Sequence, residues 1–252
     1  MPPHSLKNMS NASLSSSLQN VYDQQYANSD AQWREIGARQ KADDIVNLCK
    51  KYDFKKVLDV GAGDGAVLQE LDKRQFTNNF SAVEISGSGI EKINQRQLKS
   101  LKEVKLFDGY TIPYADKEFS LATCSHVIEH VEHPRLLLRE IARVSEYQFF
   151  EVPIDFSLFV DRKIEHFLSY GHINIYTPAL FKFLLKSEGF EVVDELFLFF
   201  SDEVVSYLMK DWKQRFVYKT KAFLLENSPL RQVKPNAYAV LCRHKGEGVK
   251  IF

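Results

Sequence analysis

The chain has 252 residues, of which 33 are Lys or Arg and 33 are Asp or Glu, so its formal net charge is zero. This balance argues against a protein whose whole surface is basic, as expected for a general nucleic-acid binder. Three cysteines without metal-ligand spacing, and no run approaching the ~18 apolar residues of a membrane helix, predict a soluble cytoplasmic protein with no stable membrane insertion.

Short apolar runs alternate with helical patterns from about Val57 onward, after a Ser- and Asn-rich segment at 1–20 that is expected to be disordered. Such alternation is typical of an α/β fold with a parallel, doubly wound sheet and right-handed connections. The strands are predicted at 54–60, 80–86, 104–107, 119–125, 147–154, 190–200 and 236–243.

The predicted helices lie between these strands, and several carry end signals. Pro134 stands in the first turn of a helix over 135–145, and Thr177 is the expected N-cap of a helix that ends at Gly189. A further helical pattern extends from 201 to about 225. We interpret 21–252 as one domain, with cap-like helical insertions at about 155–176 and 201–235 over the substrate side of the sheet.

The segment KKVLDVGAGDGAVLQEL at 55–71 reads as a strand, a glycine turn and a helix, which is how α/β folds form a nucleotide site. Gly61, Gly63 and Ala66 satisfy the dinucleotide pattern G-x-G-x-x-G/A. However, Asp64 in the turn and Asp59 before it would repel a pyrophosphate. S-adenosylmethionine carries a sulfonium and no phosphate, so the two carboxylates favour it. The alternative for Asp64 is a capping role at the following helix.

Polar residues also stand at the ends of the next three strands. Glu84 is placed to accept hydrogen bonds from ribose hydroxyls, which fits NAD equally well. Asp108, before Gly109, is either an acceptor for the adenine amino group or a turn aspartate. Ser125 and His126 end the fourth strand, next to the point where open sheets bind ligands.

The motifs VLDVGAGDG, AVEIS, LFDGYTIPYAD and SHVIEHVEHP, in this order, resemble those of class I S-adenosylmethionine-dependent methyltransferases. The similarity is greatest to the small-molecule group that includes the ubiquinone-biosynthesis O-methyltransferases, and it covers roughly 21–193. The resemblance implies a Rossmann-like sheet of seven strands, mostly parallel. The last strand is antiparallel and inserted between the fifth and the sixth.

The resemblance also implies roles for single residues. Gly61 and Gly63 approach the cofactor, Glu84 binds its ribose, and Asp108 lies beside its adenine. Ser125 and His126 line the methionine end. The other cofactor residues expected in these motifs are Asp59, Ala62, Asp64, Ile85 and Gly109.

The leading segment carries two tyrosines, Tyr22 and Tyr26, which lie four residues apart on one face of a predicted helix. They either close over the cofactor or pack on the domain.

Methyl transfer to a hydroxyl benefits from a general base, and histidine suits that task near neutral pH. The candidates are His130 after the fourth strand and His166 and His172 in the aromatic insertion. HVIEH also matches a zinc-protease motif, but a zinc-protease helix does not directly follow a sheet strand, so no metal site is predicted. A small-molecule acceptor and a homodimer are the expected partners. The alternatives are an NAD-dependent oxidoreductase and a non-catalytic methyltransferase-like binding subunit.

Overall fold

The computed structural model describes residues 31–156, 160–169 and 171–246. The predicted disordered segment at 1–20 and the two predicted cofactor tyrosines, Tyr22 and Tyr26, lie outside these ranges. None of the helices in the described ranges is both long and apolar enough to cross a bilayer.

The described ranges alternate strands and helices as predicted. The strands are β1 Val57–Val60, β2 Phe80–Glu84, β3 Leu101–Leu106, β4 Phe119–Ser125, β5 Ser145–Pro153, β6 Phe190–Leu198 and β7 Ala237–His244. The helices are α1 Ala31–Cys49, α2 Ala66–Lys73, α3 Gly87–Gln95, α4 Pro134–Val144, α5 Ile164–Ser169, α6 Pro178–Ser187, α7 Asp202–Leu208 and α8 Trp212–Glu226.

The seven strands form one sheet in the order β3-β2-β1-β4-β5-β7-β6. The strand β7 is antiparallel to both of its neighbours, β5 and β6, whereas the pairs among β1 to β5 are parallel. The predicted fold class is therefore confirmed, including the position of the last strand. Strands β2 and β3 lie on one side of β1, whereas β4 and β5 lie on the other, so the strand order reverses between β1 and β4. The carboxyl ends of β1 and β4 therefore border the crevice where such sheets bind ligands.

Both faces of the sheet are covered, which explains its nearly continuous apolar strands. Phe150 and Val240 pack on one face with the helix α4, and the neighbouring Phe149 and Leu241 pack on the other with α1. All four residues of β1 are buried. The binding edge of the sheet is therefore held by a rigid scaffold.

Some predicted boundaries differ from the structure, and β1, for example, begins at Val57 rather than at 54. The helix expected over 201–225 is divided into α7 and α8, because Met209 is extended and the Asp211 carboxylate caps a new helix by accepting from the Lys213 N–H. The edge strand β3 begins at Leu101 rather than 104, since its exposed Lys and Glu side chains hide the strand pattern. After β4, the chain forms a 3-10 turn at Ile128–His130.

Candidate functional site

The glycine turn leaves β1 with three glycines in the left-handed region. The φ angles of Gly61, Gly63 and Gly65 are +73°, +60° and +78°. A Cβ built on Gly61 would lie 2.5 Å from Cγ2 of Val127, so both the backbone conformation and the space require glycine. The N–H groups of Gly61 and Ala62 donate to the Val83 carbonyl at 2.9 and 3.2 Å, which anchors the turn to β2.

The carboxylate of Glu84 lies directly against this turn. It accepts a hydrogen bond of 2.7 Å from the Gly63 N–H and one of 3.1 Å from the Ser86 N–H. Glu84 is only 2% exposed, and burial raises its pKa to about 7 in spite of these two bonds. The structure thus brings together two residues that the sequence places in separate motifs, 21 positions apart.

Asp64 has partners that sequence reasoning missed. Its carboxylate is 2.9 Å from Nε of Arg34 and 3.3 Å from Arg96, and it also accepts from the Ala66 N–H at 3.1 Å. Asp64 thus binds the first N–H of α2, although the N-cap residue itself is Gly65 and has no side-chain cap. Two guanidinium groups therefore balance the charge of Asp64, which is not an isolated negative charge in the turn. Its role in selecting the ligand stays a prediction.

Asp59 and Asp108 also make hydrogen bonds within the protein. Asp59 accepts from Oγ1 of Thr123 at 2.7 Å, and burial raises its pKa to about 6. Oδ1 of Asp108 accepts from the backbone N–H groups of Tyr110 and Thr111, at 2.8 and 2.6 Å. Asp108 is thus a turn aspartate, followed by Gly109 with a φ of +92°. Its predicted contact with adenine stays a prediction.

The end of β4 is tied to β5 through Glu151, which sequence reasoning also missed. The Oγ of Ser125 donates to one carboxylate oxygen of Glu151 at 3.0 Å, and Nε2 of His126 lies 3.1 Å from the other. Burial favours the neutral acid, but the bonds from His126 and Ser125 prevail and hold the pKa of Glu151 below its ordinary value. An acidic residue inside the apolar run of β5 was the available signal.

A second cluster contains His130 and His172, two of the three predicted base candidates. Their ring centroids are 4.9 Å apart. Nδ1 of His130 is 2.9 Å from the Gly171 carbonyl oxygen, and Nδ1 of His172 is 2.5 Å from Oδ2 of Asp155. Because a carbonyl oxygen only accepts, Nδ1 of His130 is the donor, and the neutral ring carries its lone pair on Nε2.

Glu129 lies between these histidines and His126. It is fully buried, and neither of its carboxylate oxygens has a hydrogen-bond partner within the described ranges. One oxygen is 3.7 Å from Nε2 of His130 and 3.5 Å from Nδ1 of His126. Burial lowers the pKa of His130 in spite of this carboxylate. The pKa of His172 is raised, since the bond to Asp155 and the Glu129 charge outweigh burial.

Glu129, His130 and His172 also have the composition of a metal site. One potential ligand atom from each lies within 4.8 Å of the other two. Two imidazoles and a carboxylate are donors that zinc enzymes use. Whether these three residues bind a metal ion is tested by removal of metal from the protein, as described in the Discussion.

His166, the third base candidate, lies on α5 and lines a cavity of about 300 Å³. The cavity lies at the carboxyl-end edge of the sheet, beyond β5 and β6 and beside the start of β7. Both predicted insertions contribute to its walls, since its lining includes residues of α5 and α8. Ile85, predicted as a cofactor residue, follows β2 and packs partly buried against the core.

Comparison with known proteins identifies the family. A sequence model described as "Methyltransferase domain" matches residues 32–195, well over half of the chain. The demethylmenaquinone methyltransferase of Thermotoga maritima is 27% identical over 198 residues, which cover 68% of this chain and 82% of that protein. The Bacillus subtilis protein YrhH is 28% identical over 91 residues, which are 35% of this chain. The matched part is 51% of the length of YrhH, so the chain spans about half of that relative.

Solved structures share the fold. An S-adenosylmethionine-dependent methyltransferase of Thermotoga maritima superposes with a TM-score of 0.63 at 15% identity, over 90% of this chain and 100% of that one. Coclaurine N-methyltransferase, bound to N-methylheliamine and S-adenosylhomocysteine, has a TM-score of 0.55 at 20% identity, over 82% of this chain and 72% of that one. No support for the oxidoreductase alternative comes from these similarities. The chain belongs to the methyltransferase domain family.

Proposed function

We propose that the protein methylates a small-molecule acceptor and that the glycine turn, together with Glu84, is its cofactor site. The observation that carries the proposal is the 2.7 Å contact between the Gly63 N–H and the Glu84 carboxylate. It places the Glu84 carboxylate beside a turn that needs glycine, because Gly61 has a positive φ and packs closely on Val127. These residues fit a ligand with ribose hydroxyls, which donate to a strand-end carboxylate.

The remaining cofactor residues follow the same edge of the sheet. In this proposal Asp108 lies beside the adenine, and Ser125 and His126 line the methionine end. Bound S-adenosylmethionine supplies an electrophilic methyl group. The residues around it align the acceptor and exclude water, which is most of what methyl transfer requires.

His130 is the proposed general base for a hydroxyl acceptor. Its bond to the Gly171 carbonyl leaves the lone pair on Nε2, and burial lowers its pKa, so the ring is neutral and able to take a proton at pH 7. The Glu129 carboxylate, 3.7 Å from Nε2, stabilises the imidazolium that forms. His172, held by Asp155, and His166, beside the cavity, are the competing candidates.

Location and assembly belong to the same proposal. Cys49, Cys124 and Cys242 are buried free thiols, which suits the reduced cytoplasm. Exposed rings of Trp212, Phe216 and Phe223 on α8 support a homodimer. Light scattering after gel filtration tests the dimer, and a monomer at all concentrations would exclude it.

The test of the function is methyl transfer from tritiated S-adenosylmethionine to a library of small phenols, acids and amines. The expected result is acceptor-dependent labelling by the wild-type protein and much slower labelling by Glu84→Ala at limiting cofactor concentration. A wild-type protein that binds S-adenosylhomocysteine but labels no acceptor would favour the non-catalytic binding subunit.

A further inference from the structure

The cavity of about 300 Å³ has a size at the lower end of small-molecule sites. Ile154 and Asp155 line it after β5, Phe199 and Phe200 after β6, and Asn236 before β7. Helices α5 and α8 form its outer walls. It therefore lies at the same edge of the sheet as the proposed cofactor site.

Aromatic rings form much of the cavity lining. They belong to Phe156, Phe167, Phe199, Phe200 and Tyr218. The rings of Phe200 and Tyr218 are nearly parallel, at an interplanar angle of 24°. The Tyr218 hydroxyl is fixed in turn, because it donates to Oδ1 of Asn236 at 2.5 Å and accepts from the Phe200 N–H at 3.1 Å. Such walls favour a planar, apolar ligand body.

Three lysines, Lys163, Lys221 and Lys234, also line this cavity. Within the described ranges, none of their ammonium groups has a carboxylate within 4.0 Å, in contrast with Lys219, also on α8, which pairs with Asp202. The carboxylate of the lining residue Asp155 is bonded to His172. Three cations around one cavity repel one another, and an anionic ligand would remove that repulsion.

The cavity is also connected to the proposed base. Asp155 lines it and is bonded to Nδ1 of His172, whose ring is 4.9 Å from that of His130. Asp155 thus stands between the cavity and the histidine cluster, and neither His130 nor His172 itself lines the cavity. The lysines are exposed at the rim, whereas Phe167 is only 5% exposed.

We propose that this cavity binds the methyl acceptor and that the acceptor is an aromatic acid, with its ring among the aromatic side chains and its carboxylate or phosphate at the three lysines. The identification as acceptor rests on the proposed function. The acid-binding property does not, and it is tested without cofactor or turnover.

The test compares 1-naphthoate with 1-naphthamide, which have similar shapes and differ in charge, by titration calorimetry. The variants are Lys221→Gln, Lys234→Gln and their double, and the control is Lys219→Gln, which lies on the same helix as Lys221. Naphthoate is expected to bind about tenfold more tightly than the amide, each cavity variant to weaken it about two- to fivefold, and the double about tenfold. Binding of the amide, and of naphthoate to Lys219→Gln, should not change.

Three results would overturn the inference: no naphthoate binding in the millimolar range, equal affinity for acid and amide, or equal losses in Lys219→Gln and Lys221→Gln. Unchanged melting temperatures show that the variants fold. A parallel titration with S-adenosylhomocysteine separates the two proposals. If only that ligand fails, the cofactor assignment is wrong and the acid site stands; if only naphthoate discrimination fails, the acceptor class is wrong and the cofactor site stands.

Discussion

Protonation of Glu84 should control cofactor affinity. Burial raises the pKa of this carboxyl to about 7 in the free protein. Ribose hydroxyls donate to the ionised form, so binding favours it and requires release of a proton below pH 7. At pH 6 roughly nine tenths of the sites carry the proton, and each pH unit below the pKa costs about 1.4 kcal/mol. Affinity at pH 6 should therefore be about tenfold weaker than at pH 8, about twofold weaker at pH 7, and level above pH 8.

The assay is calorimetric titration with 5′-methylthioadenosine, which contains the ribose and adenine and has no group of its own that titrates between pH 6 and pH 8. The matched control is Glu84→Gln, which keeps the shape and cannot ionise. It should bind with no pH dependence and, at pH 8, about 1.5–3 kcal/mol more weakly than the wild type. A wild-type affinity that is constant from pH 6 to pH 8, or an unchanged slope in Glu84→Gln, would refute the reasoning.

Four further perturbations test other parts of the site. His130→Ala should lower kcat by ~10²–10⁴-fold and leave S-adenosylhomocysteine affinity unchanged; wild-type kcat, or a loss confined to His166→Ala or His172→Ala, would contradict the assignment. Because burial lowers the pKa of His130, wild-type kcat should decline only as pH falls through a value below 6.5, and a decline above pH 7 would contradict that. Dialysis against EDTA should leave activity unchanged, whereas a loss that Zn²⁺ restores would mean that Glu129, His130 and His172 hold a metal. Gly61→Ala should destabilise the fold by about 1–3 kcal/mol in a urea titration, since the added Cβ would lie 2.5 Å from the Val127 side chain at a strained φ of +73°. The double variant with Val127→Ala should recover part of this loss, because it removes the clash and leaves the backbone strain. Equal stability of Gly61→Ala and wild type would disprove the close approach.

Local patterns were sufficient to predict the sheet. Each signal used lies within a few residues of the element that it determines, so it can be read from the sequence. Examples are the continuous apolar run of β1, the glycine turn after it, and Pro134 at the start of α4. The strand ends also predicted that Glu84 lies at the binding edge of the sheet, because parallel strands present their carboxyl ends at one edge, but its contact with Gly63 was not predicted. The order of the last three strands was inferred from the resemblance rather than from any local signal.

Contacts between distant segments could not be predicted in this way. Arg34 and Arg96 neutralise Asp64 across 30 and 32 residues, and nothing near Asp64 announces them. The meeting of His130 with His172 depends on how the segment after β5 folds back. The break at Asp211 was missed since helical spacing continued on both sides of it, and only the capping aspartate marked the new start.

The most direct test of the central claim is the affinity of the purified protein for S-adenosylhomocysteine compared with NADH. A cofactor site built from the glycine turn and Glu84 for a ligand without phosphates predicts that S-adenosylhomocysteine binds and raises the melting temperature, while NADH does neither. Stabilisation by NADH alone, or binding of S-adenosylhomocysteine that Glu84→Ala leaves unchanged, would contradict it.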